Sequence, residues 1–245
     1  MKYDEHGPSW SFRIKGGETQ WLDEHMEPDC IQVIEFSYDI IAHDTSGEDE
    51  EQEEQAGDIH GFVLEYDGKD DLLEAADCHS QTAYDVWELV YGGMQNNEDR
   101  GYYSQRFVDA IGGDKGELMC GRVVHIDSVT LLPKFRGHQV GLRAIWGVLN
   151  IHEGRLVTLN AHPLQLSQPH DAQFRSEFQL DRFSQDPDES TERLQRYYAV
   201  MGFKKIKPIK LDTGNGYGTW MYLDNDYCRP HLYDLVRGRV ATDVS

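Results

Sequence analysis

Alternation of apolar and polar residues predicts three strands in the first part of the chain. Residues 10–15 alternate up to a Gly-Gly pair, which predicts a short, half-buried strand. Residues 30–42 form a longer run of β-branched and aromatic side chains, and they predict a strand partly buried on both faces. Residues 61–66, closed by an Asp-Gly pair, predict the returning strand of a hairpin.

After this hairpin the apolar positions recur at helical spacing. Residues 70–78 and 80–91 predict two helices, the second of which stops at a Gly-Gly pair. Residues 102–111 predict a further short helix. We therefore expect a helical insertion over about residues 69–116, in which the aromatic side chains serve packing rather than ligand binding.

A long apolar run over residues 121–132 predicts the strand on which the rest of the chain is built. Pro133 ends it, because proline cannot donate a hydrogen bond to a sheet. A glycine-bearing loop follows over residues 134–139, then an amphipathic helix over 140–152 and a strand over 156–161. This order makes a βαβ-like unit, which implies a partly parallel sheet.

The last third of the chain predicts a polar excursion followed by one helix and two strands. Residues 162–190 are polar and irregular, with one helical turn near 172–180. The helix and strands beyond the excursion are predicted over residues 191–201, 203–206 and 219–223. Ser190 is the expected N-cap of that helix, and the tail over 225–245 shows no clear pattern.

Charge narrows the range of partners. The 245 residues include 44 acidic and 23 basic side chains, for a formal net charge of -21. Such a surface repels nucleic acid and anionic membranes, and it attracts cations or amines, although solubility or a saline habitat explains the same acidity. Residues 45–58 concentrate this charge, and they predict a solvated loop at the hairpin tip or, in a sharper interpretation, an acidic lip that attracts a polyamine.

Length and cysteine content bound the class of protein. One domain over residues 1–245, carrying insertions, can bury a sizeable core. The chain lacks both a signal-peptide pattern and a run of roughly twenty apolar residues, so we expect a cytoplasmic protein, for which a homodimer is compatible. The four cysteines lack metal-ligand spacing, so no metal site is expected: they are Cys30, Cys78, Cys120 and Cys228.

The loop after the predicted strand of residues 121–132 has the features of an anion site. Backbone N–H groups at a helix start lack intrahelical partners, and the helix dipole adds positive potential. Arg136 adds a guanidinium suited to phosphate, while Gly137 and Gly141 allow close approach to the backbone. A plain strand-to-helix turn explains the same residues, so the loop alone leaves both interpretations open.

Two segments resemble motifs of one enzyme family. Residues 131–141, Leu-Leu-Pro-Lys-Phe-Arg-Gly-His-Gln-Val-Gly, resemble the V-x-P-x-x-R-G-x-G-x-G signature of the GNAT superfamily of N-acetyltransferases. Residues 197–203, Tyr-Tyr-Ala-Val-Met-Gly-Phe, resemble the family's F-Y-x-x-x-G-F segment. The resemblance covers residues 121 to about 223. It implies an α/β (α+β) fold with a mixed, mostly antiparallel twisted sheet, splayed at its centre and flanked by helices, here with a helical insertion before the coenzyme A strand.

The same resemblance implies a set of ligand contacts. Acetyl-CoA is the implied co-substrate, with its pyrophosphate beside Arg136 and on the backbone N–H groups of Gly137, His138, Gln139, Val140 and Gly141. Its pantetheine arm is implied to run along Val129, Thr130 and Leu131. Two positions depart from the family pattern: Gln139 replaces a glycine of the signature, and Thr191 replaces the asparagine that usually opens the fourth helix.

Acetyl transfer to an ammonium requires a proton acceptor and a proton donor. His125 and Asp127 stand on one predicted face of the strand, with Val129 and Leu131, and either could take the proton. Tyr198 matches the family tyrosine that acts as general acid. Structural roles for all three side chains explain the same pattern.

We therefore predict an acyltransferase: an acetyl-CoA-dependent N-acetyltransferase that moves an acetyl group directly to a primary amine. The acceptor is expected to be a cationic small molecule or a basic protein amine, because the chain is acidic. Two alternatives remain open, namely a catalytically silent GNAT-fold module that binds acyl-CoA and an acidic interaction or inhibitor protein. The insertions lie where the family shapes its acceptor pocket, so the resemblance does not name the acceptor.

Overall fold

The computed structural model describes residues 10–20, 33–44, 53–65, 72–92, 103–113, 122–152, 156–166, 172–208 and 220–224. The strands are β1 (Trp10–Gln20), β2 (Val33–Asp44), β3 (Glu53–Glu65), β4 (Arg122–Leu131), β5 (Leu156–Asn160), β6 (Lys204–Lys205) and β7 (Trp220–Asp224). The helices are α1 (Leu72–His79), α2 (Gln81–Tyr91), α3 (Gln105–Ile111), α4 (Val140–Ile151), α5 (Ala172–Glu177) and α6 (Pro187–Ala199). Short 3-10 turns cover Pro133–Phe135, Leu164–Leu166 and Leu180–Arg182.

The seven strands of these segments form one open, mostly antiparallel sheet in a mixed α/β fold, as the sequence predicts at this coarse level. The strand order is β1-β2-β3-β4-β5-β7-β6. Only β4 and β5 run parallel, because α4 connects them as a crossover, while β1, β2, β3 and β4 form antiparallel pairs. The predicted hairpin and βαβ-like unit are thus confirmed.

Two sheet boundaries differ from the prediction. β1 does not stop at its Gly-Gly pair, because Gly16 and Gly17 pair with Tyr38 and Ser37 of β2 and so continue the ladder to Gln20. β3 begins at Glu53, so residues 53–58 are strand rather than loop. The rest of the predicted acidic loop, residues 45–52, lies outside the described residues.

The acidic start of β3 is stable as a strand because neighbouring strands and loops supply cations. The Arg13 guanidinium donates to the Glu53 carboxylate at 2.5 Å, and the Lys134 ammonium pairs with Glu54. Both pairs are exposed, so each contributes little by itself, but they replace like-charge repulsion with attraction. Sequence patterning registers the charge of a segment but not the partners that neutralise it.

Two apolar cores lie on opposite faces of the sheet. The α4-side core packs α4 and the end of α6 onto the sheet through residues such as Phe36, Val124, Ile126, Ile145 and Met221. The insertion-side core packs α1, α2 and α3 onto the other face through residues such as Phe62, Val86, Tyr91, Tyr103 and Phe107. The insertion aromatics Tyr91, Tyr103 and Phe107 are fully buried, which confirms that they serve packing.

Helix ends follow local capping chemistry. Ser80 and Ser104 cap α2 and α3 through their hydroxyls. The predicted start of α6 at Thr191 is wrong, because Asp186 accepts the Glu189 N–H and Pro187 occupies the first turn. Ser190 therefore lies inside the helix, where its hydroxyl donates to the Ser184 carbonyl. No helix in the described part of the chain is long and apolar enough to cross a membrane.

Candidate functional site

The sheet opens between β4 and β5, and the candidate site is built around this opening. The two strands pair only from Val123–Leu156 to Ile126–Leu159. Beyond these pairs β4 continues to Leu131, but β5 ends at Asn160. Among the described residues, the last part of β4 thus has β3 on one side and no ladder partner on the other, which leaves backbone groups facing the opening. We call this region the β4/β5 parting.

A β-bulge sits at the parting. His60 pairs with Ser128 and Gly61 pairs with Ile126, so Asp127 is the extra residue on β4. An extra residue reverses the alternation of side chains along a strand. The prediction that His125 shares a face with Val129 and Leu131 is therefore wrong.

Contacts on either side of the bulge show this reversal. The His125 ring lies 4.9 Å from the Phe62 ring and 5.7 Å from the Trp220 ring, within the insertion-side core. Val129 and Leu131 pack against the α4-side core instead. The bulge thus separates His125 from Val129 and Leu131, with which strand alternation groups it.

Asp127 belongs to a cluster of ionisable side chains from three strands and one helix. Its neighbours in the cluster are His60 on β3, Glu35 on β2 and His79 on α1. The Asp127 side chain reaches solvent, yet partial burial raises its pKa above the ordinary 3.8, and Glu35 raises it further while His60 and His79 oppose the rise. The raised pKa makes Asp127 a stronger proton acceptor than an ordinary aspartate.

Asp58 and His60 form a hydrogen-bonded pair beside this carboxylate. The His60 Nε2 and an Asp58 oxygen are 3.1 Å apart, and the Thr130 hydroxyl donates to the other Asp58 oxygen. Burial alone would raise the pKa of Asp58, but these hydrogen bonds outweigh it and lower that pKa. The hydrogen bond to Asp58 raises the pKa of His60, with help from Asp127 and Glu35. Asp58 thus favours a charged His60 next to Asp127.

The Asp58–His60 pair should make the free energy of unfolding depend on pH. The raised pKa of His60 gives a contribution that is complete below the ordinary 6.5 and is lost as pH rises through the folded value. The lowered pKa of Asp58 gives one that is complete above 3.8 and is lost as pH falls through the folded value. The stability difference between wild type and Asp58→Asn, measured by chemical denaturation, should therefore be largest between pH 3.8 and 6.5.

A control and a direct reading accompany this measurement. NMR titration of His60 should give a pKa above 6.5 in the wild type and a lower one in Asp58→Asn. Asp109→Asn, which removes an exposed α3 carboxylate bonded to Gln105, should leave the His60 titration unchanged. An unchanged His60 titration in Asp58→Asn would contradict the pairing.

His125 is placed as a buried, neutral side chain. It is 1% exposed, burial lowers its pKa to about 3, and its Nδ1 lies 3.0 Å from the Thr158 hydroxyl. A histidine with so low a pKa binds a proton weakly at neutral pH. Burial therefore makes His125 a weak proton acceptor.

The loop from β4 to α4 contains the predicted anion site, and we call the backbone from Gly137 to Gly141 the cradle. Gly137 is exposed, has φ of 84° and has open space where a Cβ would lie. Gln139 also adopts the left-handed conformation, with φ of 57°, and it caps α4. The signature has glycine at this position, and the backbone retains here the conformation that glycine favours. His138 is exposed beside them, and Val140 is buried in the α4-side core.

Arg136 holds this loop to the polar excursion. Its guanidinium donates to the Leu131 carbonyl at 2.9 Å and to the Phe178 carbonyl at 2.7 Å, and it lies 4.8 Å from the Phe183 ring. A guanidinium has five N–H donors, so these two bonds leave capacity for an anion. In this structure the contacts of Arg136 position the loop.

Tyr197 lies beside Gly141 at the start of α4, and Tyr198 packs next to it. A Cβ on Gly141 would lie 2.9 Å from the Tyr197 hydroxyl, so this glycine makes room for the tyrosine. The Leu142 N–H donates to that hydroxyl, and burial raises the pKa of Tyr197 to about 12. Tyr198 packs its ring against Tyr197 and Phe203, and burial raises its pKa as well.

The predicted pantetheine residues are divided between two environments. The side chains of Val129 and Leu131 lie near Gly141, at 3.5 and 3.6 Å from a Cβ built there. Thr130 is buried and donates to Asp58 instead. The structure therefore brings Val129, Leu131 and Gly141 together with Tyr197, while Thr130 belongs with the ionisable cluster.

Comparison with known proteins adds no family to this geometry. A scan against protein-family models gives no match, and a search of curated proteins gives none either.

Four side chains at the parting escape sequence reasoning: His60, Tyr197, Asn160 and Trp220. His60 lies in a strand that the sequence predicts as an ordinary hairpin arm, and the β3–β4 pairing brings it beside Asp127. Tyr197 stands at the first position of the F-Y-x-x-x-G-F segment, to which the motif gives no catalytic role. The glycine at position 141 is a signal that a large group approaches α4. Asn160 and Trp220 end one strand and begin another, so sheet pairing alone makes them neighbours.

Proposed function

We propose that this protein is an acetyl-CoA-dependent N-acetyltransferase of the GNAT type. The observation that carries the proposal is the β4/β5 parting next to the start of α4. Backbone groups of β4 from residue 127 to Leu131 lack a β5 partner, and the glycine-bearing loop leads from this strand end into the helix. An extended arm with an anionic head fits this arrangement, because the arm can pair with a strand and the anion can bind a helix start.

The residues present suit coenzyme A. Its pyrophosphate would be held by the backbone around Gly137 and Gly141, where no side chain fills the space beyond Gly137. Its pantetheine arm would lie along β4 near Val129 and Leu131. When bound, acetyl-CoA supplies an activated thioester carbonyl, and the protein has to position it and manage two protons.

Asp127 is the proposed proton acceptor. It takes a proton from the bound ammonium directly or through one water, and its raised pKa strengthens it as a base. The freed nitrogen attacks the thioester carbonyl carbon, so a C–N bond forms while the C–S bond breaks, and the nitrogen releases its second proton to water. The products are an amide and coenzyme A.

Tyr197 is the proposed proton donor to the departing thiolate. Its hydroxyl lies beside Gly141 at the parting, whereas the Tyr198 ring packs between Tyr197 and Phe203. A phenol is protonated at neutral pH, so Tyr197 has a proton to give and later regains one from water. The raised pKa makes Tyr197 a weaker acid than an ordinary tyrosine, so its position beside Gly141 is what supports the role. The motif assigns this role to Tyr198, which stays a prediction.

The proposed acceptor is a cationic amine. Glu35 and Asp127 both face the bulge cluster, and Glu35 lies 3.9 Å from the His79 ring nitrogen. Two carboxylates near the reacting position favour an ammonium over a neutral or acidic substrate. The net charge of -21 attracts the same class of molecule over longer distances.

Binding of coenzyme A is tested by a matched pair of glycine variants. Gly137 and Gly112 both have positive φ, at 84° and 72°, and both have open space for a Cβ. Alanine at either position should cost about 1 kcal/mol of stability through the left-handed backbone. Only Gly137→Ala places a methyl group in the cradle, so calorimetry should show roughly tenfold weaker coenzyme A binding for this variant alone.

Two results would overturn the proposal. Absence of coenzyme A binding to the wild type would remove its basis. Equal loss of affinity in Gly137→Ala and Gly112→Ala would show that the cradle is not the binding site. Normal binding without acetylation of any amine in a panel would favour the silent acyl-CoA-binding module.

A further inference from the structure

The two edges of the sheet differ in their protection against further strand pairing. β6 forms one edge with only two residues, Lys204 and Lys205, and both are exposed. A short edge strand made of lysines resists the addition of another strand. β1 forms the other edge with eleven residues, and in the described part of the chain it pairs with β2 on one side only. The long edge is therefore the one at which another strand can add.

β1 lacks a bulge and a proline, two devices that protect a long edge. Its ladder with β2 runs from Trp10 to Gln20 without a register shift. Gly16 and Gly17 lie near its centre, and both are exposed. Glycine has no side chain, so this exposed surface is backbone, and a Cβ at Gly17 would meet nothing within 4 Å. The middle of the edge is therefore open to a second strand.

Charge also distinguishes β1 from its neighbours. The chain has a net charge of -21, so two copies repel each other over most of their surface. β1 has two basic side chains, Arg13 and Lys15, against one acidic side chain, Glu18. β2 and β3 contain several acidic residues and neither a lysine nor an arginine. Contact between two β1 edges therefore brings together the least acidic of these three strands.

The sequence of β1 suits antiparallel pairing with a second copy of itself. A two-fold axis through Gly16 pairs most of β1 in reverse order, with Lys15 opposite Gly17 and Ile14 opposite Glu18 of the second copy. Residues directly opposite share a face of the sheet, and this register sets no like charges opposite each other. An axis one residue earlier would place the two Lys15 side chains opposite each other, and an axis one residue later shortens the paired stretch.

We propose that β1 is a dimerisation strand, through which two copies of this chain pair antiparallel about Gly16 into one continuous sheet. Such a two-fold contact is closed, so it uses the open edge of each copy and leaves none for further growth. β2 and β3 separate β1 from the β4/β5 parting, so the contact leaves the parting free. The dimer therefore does not depend on the proposed function.

The dimer and its location are tested on the wild-type protein. Sedimentation velocity over a concentration series should show a monomer–dimer equilibrium. Hydrogen exchange of the backbone amides in residues 12–20 should be slower in the dimer than in the monomer, because pairing protects the outward N–H groups. A wild type that stays monomeric up to roughly 1 mM, the weak end of specific association, would overturn the proposal.

Opposite charges introduced at Gly17 test the register. Lys15 of the second copy lies opposite this position, so Gly17→Glu adds an attractive pair on each side of the axis, whereas Gly17→Lys adds a repulsive one. Two such cross-strand pairs should change the dimer Kd by roughly tenfold, tighter for Gly17→Glu and weaker for Gly17→Lys. Urea unfolding should show that both variants fold, because a side chain at Gly17 meets open space.

Ser37→Glu and Ser37→Lys are the matched controls. Ser37 is the exposed β2 partner of Gly17, so these variants make the same changes of net charge one strand inside the edge. Their dimer Kd values should differ much less than those of the two Gly17 variants. Equal effects at both positions would show that net charge controls association, and this would overturn the proposal. Weaker association in both Gly17 variants would contradict the register about Gly16.

Discussion

Replacing Asp127 by asparagine is expected to lower kcat/KM for acetyl transfer by roughly 100- to 10,000-fold, the range lost when a positioned general base is removed. The substitution keeps the size of the side chain and removes its ability to accept a proton. Coenzyme A binding should persist, because Asp127 lies at the bulge and not in the Gly137–Gly141 cradle. Steady-state kinetics with a cationic amine, together with calorimetry, measures both quantities.

The pH profile separates a base from a structural carboxylate. A base must be unprotonated, so kcat/KM of the wild type should fall as pH drops through the pKa of Asp127. Burial raises that pKa, so the fall should begin at a higher pH than for an ordinary aspartate with a pKa of 3.8. His60, His79 and Glu35 face the same carboxylate, so the fall of kcat/KM at low pH, the acid limb of the profile, also reflects their charge.

The asparagine variant should lose this fall in rate at low pH, whereas Asp109→Asn, which removes an exposed carboxylate of α3, should keep both rate and profile. A wild-type rate in Asp127→Asn would exclude Asp127 as the base.

Gly61→Ala is expected to be strongly destabilising. A Cβ at Gly61 would lie 2.1 Å from the His125 carbonyl oxygen and 2.5 Å from the Phe36 ring. The backbone oxygen belongs to the ladder and cannot move away without breaking the pairing beside the bulge. Overpacking of this kind costs roughly 1–3 kcal/mol, and the contact with a backbone atom places this variant at the upper end.

Gly17→Ala is the matched control for this substitution. Gly17 is also a strand glycine, but a Cβ there meets nothing within 4 Å. Its unfolding free energy in urea should stay within about 0.5 kcal/mol of the wild type, as for most surface substitutions. Equal stability of the two variants would mean that the β3–β4 pairing at the bulge differs from the one described.

The two predictions meet at one structural feature. The bulge exists because two residues of β4 face one of β3, and Gly61 admits the close approach of the strands there. Asp127 is that extra residue, and its side chain is exposed beside ionisable neighbours from β2, β3 and α1. A folded Gly61→Ala protein should therefore also lose acetylation activity, because the carboxylate moves relative to the parting.

Local patterns in the sequence determined most of the elements. Period-two alternation located the hairpin, and helical spacing located α1, α2 and α3, because both signals depend on neighbouring residues alone. The strand–loop–helix–strand unit and its parallel pairing were predictable for the same reason. The boundaries that differ, at β1, β3 and α6, are set by cross-strand partners or by a cap that lies outside the predicted helix.

Only the tertiary structure decided how the candidate site is arranged. A bulge is a mismatch between two strands, so no pattern within β4 reveals that His125 and Val129 face opposite ways. The neighbours of Asp127 come from β2, β3 and α1, and the Asn160–Trp220 pair joins two strands that are distant in the chain. The sequence by itself determined which segments form strands and helices, while long-range pairing decided which side chains share the parting.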